Sequence, residues 1–339
     1  MTNLQLNKYF RIWHLALLTT LILLVSIGGF TRLTNSGLSI TNWEVFTGIL
    51  PPLNKESWIQ YFALYKSIPQ YQELNLGMSL NEFKYIFWWE YIHRLLARFV
   101  SLLYILPLFY FIYNKFIYRH NYPYYFLIFF LFMFQGFLGW YMVKSGLSIN
   151  VDVSHFRLAA HLVGAIIIIT LVYWSYLNHL SQNLKINYMQ KKNIIFLLVF
   201  LIFIQIIYGA FTSGLDAGHI YQTWPLMNSH FLPEEVSFIS FFSTEAFYDR
   251  AHIQLIHRLN AYLIFLIFVA IYISNYKNLT TYLNLPFFLL IFQIILGIGT
   301  LITGLNIYIA ALHQLTSIFL LMSFILVIYS SNSISNVDI

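Results

Sequence analysis

Apolar residues in this chain neither alternate nor thin out to a stripe. They run on in blocks, separated by polar stretches. Eight blocks approach or exceed the roughly 18–20 residues needed to cross a bilayer. They lie at about 13–31, 86–113, 123–143, 155–177, 193–211, 251–274, 283–303 and 309–330. In lipid every backbone polar group needs an internal partner, so each block is predicted to be a helix. The period-two pattern of a membrane barrel is missing. The block after "MTNLQLNKYFRIW" is too long for the apolar region of a signal peptide, and "GGFTRLTNSG" is not a small-residue cleavage site. It is expected to be a retained span. The start is also neither Arg-rich nor Ser-rich, so no organelle transit peptide is expected. The predicted fold class is an all-α integral membrane protein of eight transmembrane helices.

Composition agrees. The chain is 59% hydrophobic and only 9% charged, whereas soluble domains are about a quarter charged. The net charge is +6, and its distribution matters more than its size. Lys8, Arg11, Lys115, Arg119, Lys185, Lys191, Lys192 and Lys277 fall in loops on one side, with Asp338 the only acid there. Nearly all the other acids fall in loops on the opposite side. By the positive-inside rule both termini are expected to be cytoplasmic. The charge therefore reports topology, and no nucleic-acid partner is expected. The chain has no cysteine, which excludes disulfides, thiolate ligands and iron–sulfur clusters and leaves histidine as the only strong nitrogen ligand.

The blocks repeat. "FQGFLGWYMVKSGL" (134–147) matches "FQIILGIGTLITGL" (292–305), and "GGFT" (28–31) matches "GAFT" (209–212). Trp43 and Trp224 share that second offset, His93 pairs with His257, and His161 pairs with His313. The chain thus reads as two tandem four-helix bundles, roughly 1–180 and 190–330. With an even number of spans each, the halves are expected to insert the same way up. The long outer loops, about 32–85 and 212–250, are rich in Gly, Pro, Asn and Trp. They are expected to be ordered caps rather than linkers.

Among the 11 histidines, His14, His120, His179, His219 and His230 lie in loops or at helix ends and are expected to be solvated or interfacial. His93, His155, His161, His252, His257 and His313 lie inside spans or at their outer ends. Four of these, His93, His161, His257 and His313, share a depth of roughly 6–11 Å below the outer surface at the helical rise. One histidine on each of two facing helices suits bis-imidazole ligation of a planar haem. A membrane histidine can also simply be a hydrogen-bonded core residue, but ionisable groups in spans are functional candidates. His155 and His252 point at other angles and are expected to serve beside the haem, near its propionates or facing water.

Arg94 and Arg258 directly follow two of these histidines. Each could pair with haem propionates through its planar fork, or snorkel to the headgroups. Arg98 and Arg157 add positive charge in the first half. Glu90 lies three residues before His93, where the second half has Gln254. A carboxylate there could move protons, or be an ion-pair partner of Arg94 or Lys84. The Glu/Gln difference suggests divided labour, with chemistry in the first half and electron storage or transfer in the second.

"GGFTRLTNSGLSITNWEVFTGILPPL" (28–53), "EYIHRLLAR" (90–98), "FRLAAHL" (156–162), "HRLNAY" (257–262) and "LHQ" (312–314) resemble the haem A synthase family, in its cysteine-free alphaproteobacterial and mitochondrial type. The resemblance covers nearly the whole chain. It implies an oxidoreductase acting on a CH group, converting the C8 methyl of haem O to a formyl group and so giving haem A for cytochrome c oxidase. It implies the substrate haem O held between His93 and His161 with Glu90 essential, and a haem b cofactor between His257 and His313. It implies a multi-pass protein of a bacterial inner membrane, with haem O synthase and oxidase assembly factors as candidate partners beside membrane lipid. His155 stands where this family would be expected to carry glutamine. The competing readings are a di-haem b-type electron-transfer protein, in which neither haem is consumed, and a haem transporter or chaperone. The transporter reading is weakened because the histidines lie near one surface and no paired broken helices appear.

Overall fold

The computed structural model describes residues 3–44, 47–148, 150–180, 192–233, 243–274 and 280–332. Ten α-helices are described: α1 (Asn3–Leu33), α2 (Lys55–Lys66), α3 (Pro69–Glu73), α4 (Leu80–Tyr113), α5 (Tyr122–Lys144), α6 (His155–Asn178), α7 (Lys192–Gly214), α8 (Arg250–Ser274), α9 (Thr280–Ile302) and α10 (Ile307–Asn332). Eight of them, all but α2 and α3, are long and apolar enough to cross a membrane. The protein is therefore a multi-pass, all-helical membrane protein, as its apolar blocks predict.

Two helices start earlier than their apolar blocks. α1 begins at Asn3 rather than at 13. Its first turns are amphipathic: Leu6, Phe10, Trp13 and Leu17 are buried at helical spacing, while the residues between them are polar or exposed. α4 begins at Leu80 rather than at 86. A capping box starts it, in which the Ser79 and Glu82 side chains each bond the other's backbone N–H. Both starts are written in capping and periodicity, which a run of hydropathy misses.

Residues Met1–Ile169 and Thr170–Ile339 form two compact units, and the division falls within α6. In the first unit α1 packs along α4; in the second α7 packs along α8, and α10 packs along both α9 and α7.

The loop after α1 is an ordered cap where it is described. Asn54 caps α2, its Oδ1 accepting from the Ser57 N–H at 2.8 Å. Leu38, Ile40, Trp58, Phe62, Tyr65 and Tyr71 then close into one apolar cluster with Phe83, Phe87 and Tyr91 of α4. Burying that many aromatic side chains supplies the cap with its own core. The matching region of the second unit has a smaller cluster in which Tyr221 and Met227 meet Ala251 and Leu255 of α8. Part of that second loop, 234–242, lies outside the described residues.

Candidate functional site

Each unit builds the same clasp between the long loop after its first helix and the helix that follows that loop. In the first unit the Glu90 carboxylate is buried on α4. Its Oε2 accepts from the Ser39 hydroxyl at 2.8 Å and from the Ile40 N–H at 2.9 Å. Its Oε1 accepts from Arg94, one helical turn later, at 2.5 Å. Arg94 also donates to the Ile40 carbonyl at 2.7 Å and to the Asn42 carbonyl at 3.1 Å, and its guanidinium lies 5.6 Å from the Trp43 ring centre. Arg98 reaches the Glu44 carbonyl. Carboxylate and guanidinium together satisfy both backbone groups of Ile40, so loop and helix are locked at one register. Of the two sequence readings of Glu90, the ion pair with Arg94 is present. The Glu44 carboxylate accepts from Tyr61 at 2.8 Å. Burial, and then that bond, push the Tyr61 hydroxyl up to about 12.

In the second unit Gln254 and Arg258 of α8 both donate to the Tyr221 carbonyl, at 2.9 and 3.1 Å. Tyr221 stands at the same repeat position as Ile40, and Arg258 reaches on to the Leu226 carbonyl at 3.4 Å. The geometry repeats but the charge does not. Arg258 is buried, its Nε has no hydrogen-bond partner, and no carboxylate pairs with it among the described residues. A buried cation without an anion is costly. This position is therefore suited to an anionic ligand group in a way that Arg94, already paired, is not.

Each of the four paired histidines lies on the second helix of a hairpin and packs on a glycine of the first. A Cβ on Gly28 would lie 3.0 Å from His93, on Gly139 3.1 Å from His161, on Gly209 3.3 Å from His257 and on Gly297 2.9 Å from His313. Only glycine leaves room for the imidazole to lie this close to the neighbouring backbone. Three hairpins add a glutamine one turn before the glycine. Gln135 donates to the His161 carbonyl at 2.6 Å and meets its ring Nδ1 at 3.1 Å. Gln205 donates to the His257 carbonyl at 2.9 Å and meets Nε2 at 3.3 Å. Gln293 does the same for His313 at 3.0 and 3.5 Å.

The predicted partners come together within each unit. The His257 and His313 ring centres are 6.5 Å apart, their planes 74° from parallel. His93 and His161 are close enough to couple electrostatically. In the second pair His313 Nδ1 faces the Gln293 carbonyl at 3.1 Å. A carbonyl can only accept, so Nδ1 carries the hydrogen and Nε2 keeps its lone pair. His257 Nδ1 is buried without a partner.

The remaining sequence candidates divide. His155 and His252 are both buried, so neither faces water. Arg157 donates to the Tyr141 carbonyl at 2.7 Å and stacks on the Tyr141 ring. His14 is not solvated: it is 1% exposed, inside α1, bonded to the Phe10 carbonyl and packed on Phe10 and Trp13. Its expected exposure fails because the helix extends a full ten residues upstream of the apolar run. The sequence reading missed Gln135, Gln205 and Gln293, although the first and last stand in the quoted repeat. The spacing Q-x-x-x-G recurs at 205–209, and that third copy was the signal available.

Residues 11–325 match the COX15-CtaA family, described as cytochrome oxidase assembly protein. The chain is 47% identical over 330 residues to the haem A synthase of Pelagibacter ubique (strain HTCC1062), covering 96% of this chain and 97% of that protein. It is 44% identical over 308 residues to the haem A synthase of Rickettsia felis, covering 88% and 91% of the two chains. It is 42% identical over 321 residues to that of Rickettsia bellii, covering 91% and 94%. With its tandem histidine hairpins and a match running almost from end to end, this chain belongs to the COX15-CtaA family.

Proposed function

We propose that this chain is a haem A synthase of a bacterial inner membrane, oxidising the C8 methyl of haem O to a formyl group to supply haem A for cytochrome c oxidase. The observation that carries the reading is the pairing of deep histidines within each unit, on hairpins built alike, in a chain so similar to named haem A synthases. In this reading the half at 1–180 holds the substrate haem O between His93 and His161, and the half at 190–330 holds a haem b between His257 and His313. Both termini are cytoplasmic, placing the clasps at the outer face.

The residues of the second pair fit a haem iron. Two metal–imidazole bonds of about 2 Å each put ring centres roughly 6–6.5 Å apart, against the 6.5 Å observed. The Nδ1–H bond of His313 to a backbone carbonyl is the usual support for a metal-ligating imidazole, since it fixes the tautomer and orients the ring. The unpaired Arg258 suits a propionate. Bound there, the haem would supply one-electron redox chemistry.

The protein's own part in the reaction falls to the first unit. Oxidising a methyl carbon releases protons, and they need an acceptor held nearby. Glu90 is the proposed acceptor. It lies one turn before His93 and accepts from the Ser39 hydroxyl, which gives a proton a route through that hydroxyl to the cap. Arg94 holds the carboxylate in place and Gly28 lets the His93 ring lie against α1. The aromatic cap core over this clasp keeps bulk water from it.

The test is to express the protein with a haem O supply and to identify the extracted haems. Haem A is expected with the wild type and is expected to be all but lost with Glu90→Gln. Pigment that stays haem b alone in the wild type would favour the di-haem electron carrier instead.

A further inference from the structure

The four hairpins are alike except at one place. Counting back one turn from the histidine-facing glycine gives Gln135, Gln205 and Gln293 on α5, α7 and α9, but Leu24 on α1. The position three residues after each histidine changes with it. It is Gly164, Asn260 and Thr316 in the three glutamine hairpins, and Leu96 in the fourth. Two of these residues visibly receive their glutamine. A Cβ on Gly164 would lie 2.4 Å from Gln135 Oε1, so no side chain fits there. Asn260 donates to Gln205 Oε1 at 2.8 Å, which turns the Gln205 amide N–H toward His257.

At His161 the glutamine holds the backbone carbonyl and the ring Nδ1, which leaves Nε2 free for a metal; the His313 ring is braced through its own Nδ1–H on the Gln293 carbonyl. A ring gripped this way must break a hydrogen bond to turn. Leu24 can offer no such bond, and no described residue hydrogen-bonds the His93 ring. The His93 ring keeps its glycine contact at Gly28 but lacks the Nδ1 brace that His161 takes from Gln135 and His313 from the Gln293 carbonyl.

Resting on the haem-binding reading above, we infer that His93 is the exchangeable ligand of the substrate haem, and that Leu24 and Leu96 are positioning residues that leave its ring free to swing off the iron. The step breaks one iron–nitrogen bond, leaves the electron pair on the imidazole and transfers no electron. It opens a coordination position on the side facing α1 and Glu90, while His161, gripped by Gln135, keeps hold of the other side. In the second unit His313 keeps its Nδ1 brace on the Gln293 carbonyl, so that ligand stays in place. The two sites thereby differ in reactivity at the same iron chemistry, through two aliphatic side chains.

The experiment uses full-length protein, purified in detergent with haem O supplied, and reads haem content per chain, low-spin absorption bands and the carbon monoxide difference spectrum of the reduced protein. His93→Ala should keep the first-site haem, converted to a high-spin form that binds carbon monoxide. His161→Ala should lose that haem by about tenfold, the size of effect typical of metal-site support residues. The double variant Leu24→Gln/Leu96→Asn should keep its haem while its carbon monoxide-reactive fraction falls by about tenfold. Equal loss of haem in the two histidine variants overturns the inference, as does the reverse order. An unchanged carbon monoxide spectrum in a fully loaded double variant overturns it too. If the double variant does not fold, the two histidine variants decide. Should neither histidine variant alter haem content or bands, it is the haem-binding reading itself that fails.

Discussion

The two clasps hold the same loop position in the same way, yet one is charge-balanced and the other is not. Glu90 and Arg94 answer each other's charge while binding Ile40. Gln254 and Arg258 bind Tyr221 with no carboxylate paired to them among the described residues. A single Glu/Gln exchange on a duplicated scaffold thus gives one site a buried carboxylate within reach of proton chemistry, and the other a buried cation in need of an anion. The architecture stays constant because both versions satisfy the loop backbone; the proposed division of function rests on the carboxylate that only the first clasp carries.

Four substitutions probe the difference between the clasps. The largest effect is expected from Glu90→Gln, which turns the first clasp into a copy of the second. Turnover should fall by about a hundredfold or more, the usual worth of a positioned acid–base group, while haem content per chain stays near the wild-type value. Product formation and the haem spectrum, taken on the same sample, check both halves of the statement. Next comes Arg258→Gln, which removes the unpaired cation. Haem retention in the second unit should weaken about tenfold to a hundredfold, as expected for losing a hydrogen bond to a charged group, and titration of the haem-depleted protein with haem b measures it. A smaller change is expected from Gln254→Glu, which gives Arg258 an internal partner. Haem affinity there should drop by about threefold to tenfold, less than the full loss of a charged hydrogen bond, because the guanidinium remains. A titration showing tighter binding would argue against propionate recognition at Arg258.

The smallest effect concerns the cap, which among the described residues is larger in the first unit. Folding holds the Tyr61 hydroxyl protonated up to about 12, against 10.0 for the free side chain. Between those values the folded protein keeps a proton that the unfolded chain has lost, so this contribution to stability is present below pH 10 and declines as pH rises toward 12. Tyr61→Phe should flatten that alkaline decline in a thermal melting series. An unchanged slope would place the alkaline sensitivity elsewhere.

Much of this molecule is legible in its sequence. Eight spans follow from run length, since lipid admits no other backbone solution. The histidine pairs follow from matched depth in matched repeats. The parts that escape are those set by contacts across long separations. Ser39 and Ile40 reach Glu90 across some fifty residues, and no local period announces that. The glutamine grips are half visible, because Gln135 and Gln293 stand in the aligned repeat. Their purpose appears only once Gly164 and Asn260 are seen to make room for or bond an amide. His14 escaped for a local reason: ten residues of amphipathic helix precede the apolar run, and a hydropathy window reads amphipathic residues as polar.

The proposed function requires two haems of different fate, held by four imidazoles, one pair per half. Mass spectrometric identification of every haem released from the purified wild type, with the ratio of each to protein, tests it most directly. The account predicts one haem b per chain, accompanied by haem O and its oxidised product haem A at the other site. A colourless preparation, or one carrying haem b alone however much haem O is supplied, would contradict it.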